Sequence, residues 1–212
     1  IAAAHARGIE VRVDELNSVS CKGLPGLSDS FASALWILDA LFHIARSGVD
    51  GVNIHTLPHV SYQLFTFRRI GGRWEARVKP MYYGLLLFSQ AAPTGSRLLP
   101  TSHPPDNELR SWATRGSRGT VRVVLINDSA SRVLTLAVRP PRPAGAATLE
   151  RLTAPGLTAT GGVSIGGQSF GSVTATAMLQ GRLRVSALAP IQDRYVVELP
   201  PASAALLTVP AA

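Results

Sequence analysis

The feature that most restricts the fold is a change of periodicity near residues 93–105. Before it, strand-like and helix-like segments alternate; after it the helical period vanishes and short β-rich runs take over. The boundary, "PTGSRLLPTSHPPDN", is rich in proline and polar residues and has the composition of a linker. In the first half, "IEVRVDEL" alternates with period two. That pattern puts Val11, Val13 and Glu15 on one face and Arg12 and Asp14 on the other. Ser28 is the expected N-cap of a helix, with Asp29 in its first turn. Phe31, Ala34, Leu35, Leu38, Leu41, Phe42 and Ala45 recur at helical spacing, Asp39 and His43 interrupt the apolar run, and Gly48 closes it. "DGVNIHT" reads as a second strand and "YQLFTFRRIGGRWEARVKP" as a hairpin turning on Gly71-Gly72. "MYYGLLLFSQAA" reads as a second apolar helix, despite Gly84. Strand–helix–strand–helix implies parallel strands, and two strands do not make a stable domain alone. The first half is therefore expected to be the tail of a larger α/β unit.

In the second half, "TVRVVLIN" and "RVLTLAVR" flank the turn "DSAS". The runs "ATLERLTA", "GGVSIGG", "SVTATAML", "RLRVSALA", "RYVVELP" and "AALLTVP" come after them. Turn signals every eight to twelve residues between short strands are the pattern of an antiparallel β-sandwich. The Gly-Gly steps at 161–162 and 166–167 are turns and not a phosphate loop, because no helix comes after them. The expected organisation is α/β for residues 1–95 and all-β for residues 96–212.

The net charge of +8 suggests a nucleic-acid partner, but its composition argues against one. Only two of the 21 basic residues are lysines, Lys22 and Lys79, and the arginines are scattered through strands and loops. A phosphate-binding surface concentrates charge on one element. Arg68, Arg69, Arg73 and Arg77 come closest, spread over the predicted hairpin. Moderate basicity suits an anionic ligand such as an acidic sugar. No apolar run reaches the length of a membrane span, so no membrane partner is expected. Cys21 is the single cysteine, which leaves no internal disulfide and no cysteine-based zinc site. His55 and His59 are four apart but follow a strand across Leu57-Pro58, so no metal site is expected of them. The chain starts at Ile1 without a targeting pattern, as expected of a piece of a longer protein.

The chemistry-bearing candidate is the strand end Asp14-Glu15. In an α/β barrel the C-terminal ends of the strands carry the catalytic groups. Alternation lets only one of the two carboxylates point into a barrel mouth, and Glu15 would cap the row of Val11 and Val13. On spacing alone it is a nucleophile, an electrostatic stabiliser or a rim carboxylate paired with an arginine. Asn17, two residues on, would orient it or bind a ligand.

The stretch "DELNSVSCKGLPGLSDSFASALWILDALFHIARSGVDGVNIHT" resembles the final part of the barrel in glycoside hydrolase family 79, the family of heparanase and the microbial β-glucuronidases. The matching residues are Glu15 ending the seventh strand, Leu24-Pro25-Gly26 in the loop, Ser28-Asp29-Ser30-Phe31-Ala32 opening the helix, and Gly51-Val52-Asn53-Ile54-His55 as the eighth strand. "YYGLLLFSQ" is similar to the last barrel helix, and "LERLTAPG" with "GGVSIGGQSF" to the C-terminal β domain. The resemblance implies the C-terminal part of a (β/α)8 TIM barrel followed by a β-sandwich, and retaining hydrolysis of β-glycosides of glucuronic acid by a carboxylate pair. Glu15 matches the nucleophile; the acid/base Glu has no counterpart, so the chain alone is expected to be inactive and to pack against the missing part of its own barrel. Cys21, Lys22 and Gly23 stand where the family has an aromatic residue and glycine beside the uronate carboxylate, and the cysteine is a departure from that pattern. Tyr62 and His55 are further substrate-binding candidates, with Asn17. No cofactor and no metal is implied, and export is expected of an enzyme acting on polymeric glycans. Two rivals remain: a retaining glycosidase for neutral sugars, and a non-catalytic carbohydrate-binding scaffold. Against the second, only Trp112, Phe170 and Tyr195 are aromatic after the linker, which leaves the sandwich poor in binding platforms.

Overall fold

A computed structural model describes residues 1–141 and 145–211. In chain order the elements are α1 (Ala2–His5), β1 (Arg12–Leu16), α2 (Phe31–Arg46), β2 (Gly51–Ile54), β3 (Phe65–Ile70), β4 (Arg73–Val78), α3 (Pro80–Ala91), β5 (Arg97–Leu99), β6 (Leu109–Arg115), β7 (Val121–Asn127), β8 (Leu134–Val138), β9 (Ala147–Thr153), β10 (Ser164–Ile165), β11 (Ser186–Leu188), β12 (Tyr195–Leu199) and β13 (Ser203–Val209). No helix among the described residues is long and apolar enough to cross a membrane.

β1 and β2 pair in parallel with α2 between them, the βαβ arrangement expected of the first half. The helix starts at Phe31 as its periodicity requires, but Ser28 is not the cap. Ser30 occupies that position, and its hydroxyl donates to the Leu27 carbonyl. Ser28 instead accepts from the Leu24 N–H, and Asp29 accepts from the Gly26 N–H, so both side chains fold the loop before the helix. α3 packs against α2 at very short range. A Cβ on Gly84 would lie 2.2 Å from the Ala34 carbonyl oxygen, so the glycine inside the apolar helix marks a close backbone approach. β3 and β4 form the expected hairpin, with Ile70 opposite Arg73 across Gly71-Gly72.

The second half is organised around one seven-stranded sheet. Its order is β10-β9-β13-β7-β6-β5, with β11 also pairing β9. Both faces are covered. On one side Phe31, Leu38 and Phe42 of α2 and Tyr83 and Leu87 of α3 share an apolar cluster with Trp112, Val124, Ile126, Leu152, Ala204 and Leu206. On the other side the two-stranded β8–β12 sheet contributes Leu134, Tyr195, Val197 and Leu199 to a second cluster with Val123, Leu125, Leu149, Ala205 and Leu207. Each large apolar side chain so buried contributes about 1.5–3 kcal/mol. The first cluster contains residues from both sides of the boundary at 95, so the helices and the sheet share one core.

Two expectations about the second half, the linker and "SVTATAML", are corrected, and the partners of the strands flanking "DSAS" become clear. The linker contains a strand: β5 pairs Arg97 with Arg115 and Leu99 with Ala113, at the edge of the sheet where flanking prolines are tolerated. β7 and β8 do not form a hairpin around "DSAS", because β7 lies in the large sheet and β8 pairs with β12. "SVTATAML" forms no strand; Thr174 makes an isolated bridge to Ala76 of β4. The polar interruptions of α2 also find a reason. The Trp112 indole N–H donates to Asp39 at 2.6 Å, and the His43 ring stands edge-on to Trp112, so both tie the helix to β6.

Candidate active site

The strand end that carries Glu15 departs from simple alternation. Val13 pairs with Val52 and Leu16 with Ile54, so β1 takes three residue steps where β2 takes two. An extra residue of this kind reverses the facing of the residues beyond it. Leu16 therefore turns, with Val52 and Ile54, onto the cluster formed by Ile37, Leu41 and Met81 of the helices. Glu15 is left on the opposite face, beside His55. The prediction that Glu15 shares a face with Val13 is thus corrected. Its companions are Arg12, Asn53 and His55, and Arg12 donates to the Asn53 side chain at 2.9 Å. Arg12 can lie across β2 because Gly51 has no side chain: a Cβ there would be 2.1 Å from its guanidinium. Arg12 and Asn53 were missed in the sequence because strict alternation puts Glu15 on the other face, and only the register shift brings it to theirs.

The His55 Nδ1 lies 2.7 Å from a Glu15 carboxylate oxygen, a contact of ion-pair length. The Tyr62 hydroxyl lies 3.5 Å from the same Nδ1, and the two rings are 5.4 Å apart. Tyr62 is buried, whereas Glu15 is 68% exposed. Asn17 braces the arrangement. Its side-chain NH2 donates to the His55 carbonyl, and its oxygen accepts from the Ser18 N–H at 2.7 Å. The His55 N–H in turn donates to the Leu16 carbonyl at 3.0 Å.

The loop between β1 and α2 reaches the same place through its backbone. Cys21, Lys22 and Gly23 are three successive residues with positive φ, at 56°, 76° and 79°. Left-handed backbone at two non-glycine residues in a row is uncommon and marks a tightly specified turn. The Lys22 carbonyl accepts from the Ser61 N–H at 2.9 Å, which ties this loop to the segment that carries Tyr62. A Cβ on Gly23 would come within 3.0 Å of both the Tyr62 ring and the Ser28 hydroxyl, so only glycine lets the loop close there. Cys21 is exposed and free. Side chains thus bring together Glu15, His55 and Tyr62, while Asn17, Lys22 and Gly23 join through hydrogen bonds or backbone packing. His59, with φ 64°, takes up the loop beyond and its N–H donates to Gln63. Among the described residues no three metal-ligating side chains cluster.

No protein-family model matches the sequence. A β-glucuronidase of Aspergillus niger is 28% identical over 123 residues, which are 57% of this chain and 22% of that enzyme. Among solved structures, a 4-O-α-L-rhamnosyl-β-D-glucuronidase from Fusarium oxysporum, in complex with Rha-GlcA, matches 99% of this chain and 45% of its own at a TM-score of 0.80 and 19% identity. A glycoside hydrolase family 30 subfamily 8 xylanase from Clostridium acetobutylicum matches 100% of this chain and 45% of its own, with a TM-score of 0.65 and 11% identity. The structural likeness speaks for the fold, which this chain has in common with glycoside hydrolases over its whole described length. The chain spans less than half the length of each of these three proteins.

Proposed function

We propose that this chain is the C-terminal portion of a retaining glycoside hydrolase that cleaves β-glucuronides, of the family 79 kind. The observation that carries the reading is the Glu15 carboxylate, turned by the extra residue of β1 onto an open face and held by His55 at 2.7 Å. The similarity to a β-glucuronidase supports the substrate class. In this reading β1 and β2 are the last two strands of a (β/α)8 barrel, and Glu15 stands at the strand end where barrel enzymes carry their chemistry.

Glu15 attacks the anomeric carbon of the uronide, and a bond forms between its carboxylate oxygen and that carbon as the glycosidic bond breaks. A carboxylic acid from the part of the barrel outside this chain protonates the departing oxygen. It then takes a proton from the water that releases the sugar and regenerates Glu15. Retention needs the two carboxyl groups about 5–5.5 Å apart, so the chain alone is inactive. His55 holds the Glu15 carboxylate in its attacking orientation. Tyr62 and the backbone of Cys21-Lys22-Gly23, with the Lys22 ammonium, form the pocket for the uronate carboxylate, and Asn17 keeps His55 in place.

The test is covalent labelling of the full-length polypeptide that carries this sequence, with a glucuronic-acid-configured mechanism-based inhibitor and peptide mass mapping. An adduct on Glu15 is the expected result. An adduct formed there only by a neutral-sugar probe would move the specificity away from uronides, and no adduct with either probe would remove Glu15 as the nucleophile.

A further inference from the structure

The arginine-bearing hairpin takes no part in the Glu15 centre, yet it forms one wall of a separate cleft. This cleft, of 820 Å³, lies between β3–β4 and the glycine-rich segment 161–173, with Pro80 and Tyr83 of α3 also lining it. It has the size of a site for a small ligand. Its walls are fixed to each other. Ala76 and Thr174 exchange two backbone hydrogen bonds of 2.8 Å, and the Phe170 N–H donates to the Tyr83 hydroxyl at 2.9 Å.

The charge in the cleft is specific. Arg68 is paired with Glu75, its Nε and Nη2 both donating to one carboxylate oxygen. Arg77 has no carboxylate partner among the described residues. It donates one N–H to the Thr160 carbonyl at 3.3 Å and keeps the rest of its fork for other acceptors. Tyr83 is buried, and its oxygen accepts from Phe170, which leaves its own proton to be donated. Ser164, Ser169 and Ser172 add hydroxyls, while Val78, Val163 and Phe67 supply apolar contact. One uncompensated guanidinium, several hydroxyl partners and an apolar strip fit a ligand with one negative charge and many hydroxyls. A polyphosphate would call for more than one free cation.

We infer that this cleft binds a carboxylate-bearing sugar of an acidic glycan, with Arg77 on the carboxylate and Tyr83 and the serines on the ring hydroxyls. The choice of an acidic glycan rests on the reading of the Glu15 centre as a uronide site.

The test is hydrogen-exchange mass spectrometry on the full-length polypeptide with a glucuronate-containing tetrasaccharide, alongside calorimetry. Protection is expected in peptides covering 66–78 and 161–173. Arg77→Gln, which keeps a donor for Thr160, is expected to abolish that protection and weaken binding about tenfold, while turnover of a small aryl glucuronide stays unchanged. Ser172→Ala, on the exposed rim, is expected to weaken binding by a smaller factor without touching the fold. Protection confined to peptides 12–23 and 51–64 would overturn the cleft site and leave the Glu15 reading standing. Protection at the cleft with no reaction at Glu15 would do the reverse. Equal protection by a neutral xylotetraose, or undiminished binding by both variants, would overturn the assignment to an acidic sugar.

Discussion

Glu15 of β1 and His55, the residue that follows the parallel strand β2, meet at 2.7 Å only because β1 carries one residue more than β2 between Val13 and Leu16. In strict register Glu15 would follow Val13 toward the helices and the carboxylate would be buried without His55. The extra residue thus converts an apolar strand end into a polar one at a single position. The same extra residue moves Leu16 the other way, onto the helix-facing row with Val52 and Ile54.

Under the proposed mechanism that relationship makes His55 a positioning residue, with a signature measurable in the full-length polypeptide. His55→Ala is expected to lower kcat for a glucuronide by roughly 10²-fold, the effect of letting a nucleophile drift by about an ångström. KM should hardly move, because the aim of Glu15 matters in the bond-forming step. His55→Gln offers an amide N–H in a similar place and should recover part of the loss. A fall in KM and kcat together, unrelieved by Gln, would show that His55 contacts the sugar instead.

Gly23 links the loop backbone to Tyr62. Its φ of 79° costs a non-glycine residue roughly 1–2 kcal/mol. Its missing Cβ also leaves room for the Tyr62 ring and the Ser28 hydroxyl at 3.0 Å. Gly23→Ala is expected to raise KM for the uronide more than it lowers kcat, since it displaces the proposed carboxylate pocket and leaves Glu15–His55 intact. Steady-state kinetics on glucuronide and neutral aryl glycosides checks this. Equal losses on both would place Gly23 outside the uronate pocket.

Much of this arrangement was legible in the sequence, and the exceptions share a cause. α2, α3 and the β3–β4 hairpin were readable because each has a single buried face or a glycine turn that leaves a clean period. The extra residue in β1 left a single trace, Leu16 three residues after Val13 and so out of phase with period two, which is too little to locate it between two polar residues. β6 escaped notice because its sheet is covered on both sides: Trp112, Ala113 and Thr114 are buried in succession, so alternation is lost. The buried Thr114 hydroxyl satisfies itself on the Ala91 carbonyl, a contact that no local pattern announces. Trp112, Phe170 and Tyr195 are all buried, so each of these aromatics is a core residue.

Gly84 separates two opposing effects of one substitution. On helix propensity alone, Gly84→Ala would stabilise α3 by about 1 kcal/mol. The new Cβ would sit 2.2 Å from the Ala34 carbonyl and 2.7 Å from Ile37, and the first of these is backbone that cannot rotate away. Overpacking of this kind costs about 1–3 kcal/mol or more, so net destabilisation is expected. Urea denaturation with unchanged slope would read it directly. A gain in stability would mean that α2 and α3 are free to separate.

Glu150 gives a pH dependence whose sign can be worked out. It is half-buried on β9, and burial pushes its carboxyl above the ordinary value of 4.5, against a smaller opposite pull from the Gln90 side chain. The folded protein therefore holds this proton more tightly than the unfolded chain. Its contribution to stability falls as pH rises from 4.5 through the raised folded value, and the full penalty is present at neutral pH. Asp106 works in the opposite sense: hydrogen bonds from Arg132 lower its carboxyl, so its contribution is present above the ordinary range and is lost on acidification. Glu150→Gln isolates the first effect, because an amide keeps an acceptor for Gln90 and removes the charge. The variant is expected to unfold at higher urea than the parent at pH 7, with the advantage shrinking to nothing below about pH 4, where both side chains are neutral. A midpoint no higher at pH 7 would show that water reaches Glu150 well enough to cancel the cost of its burial.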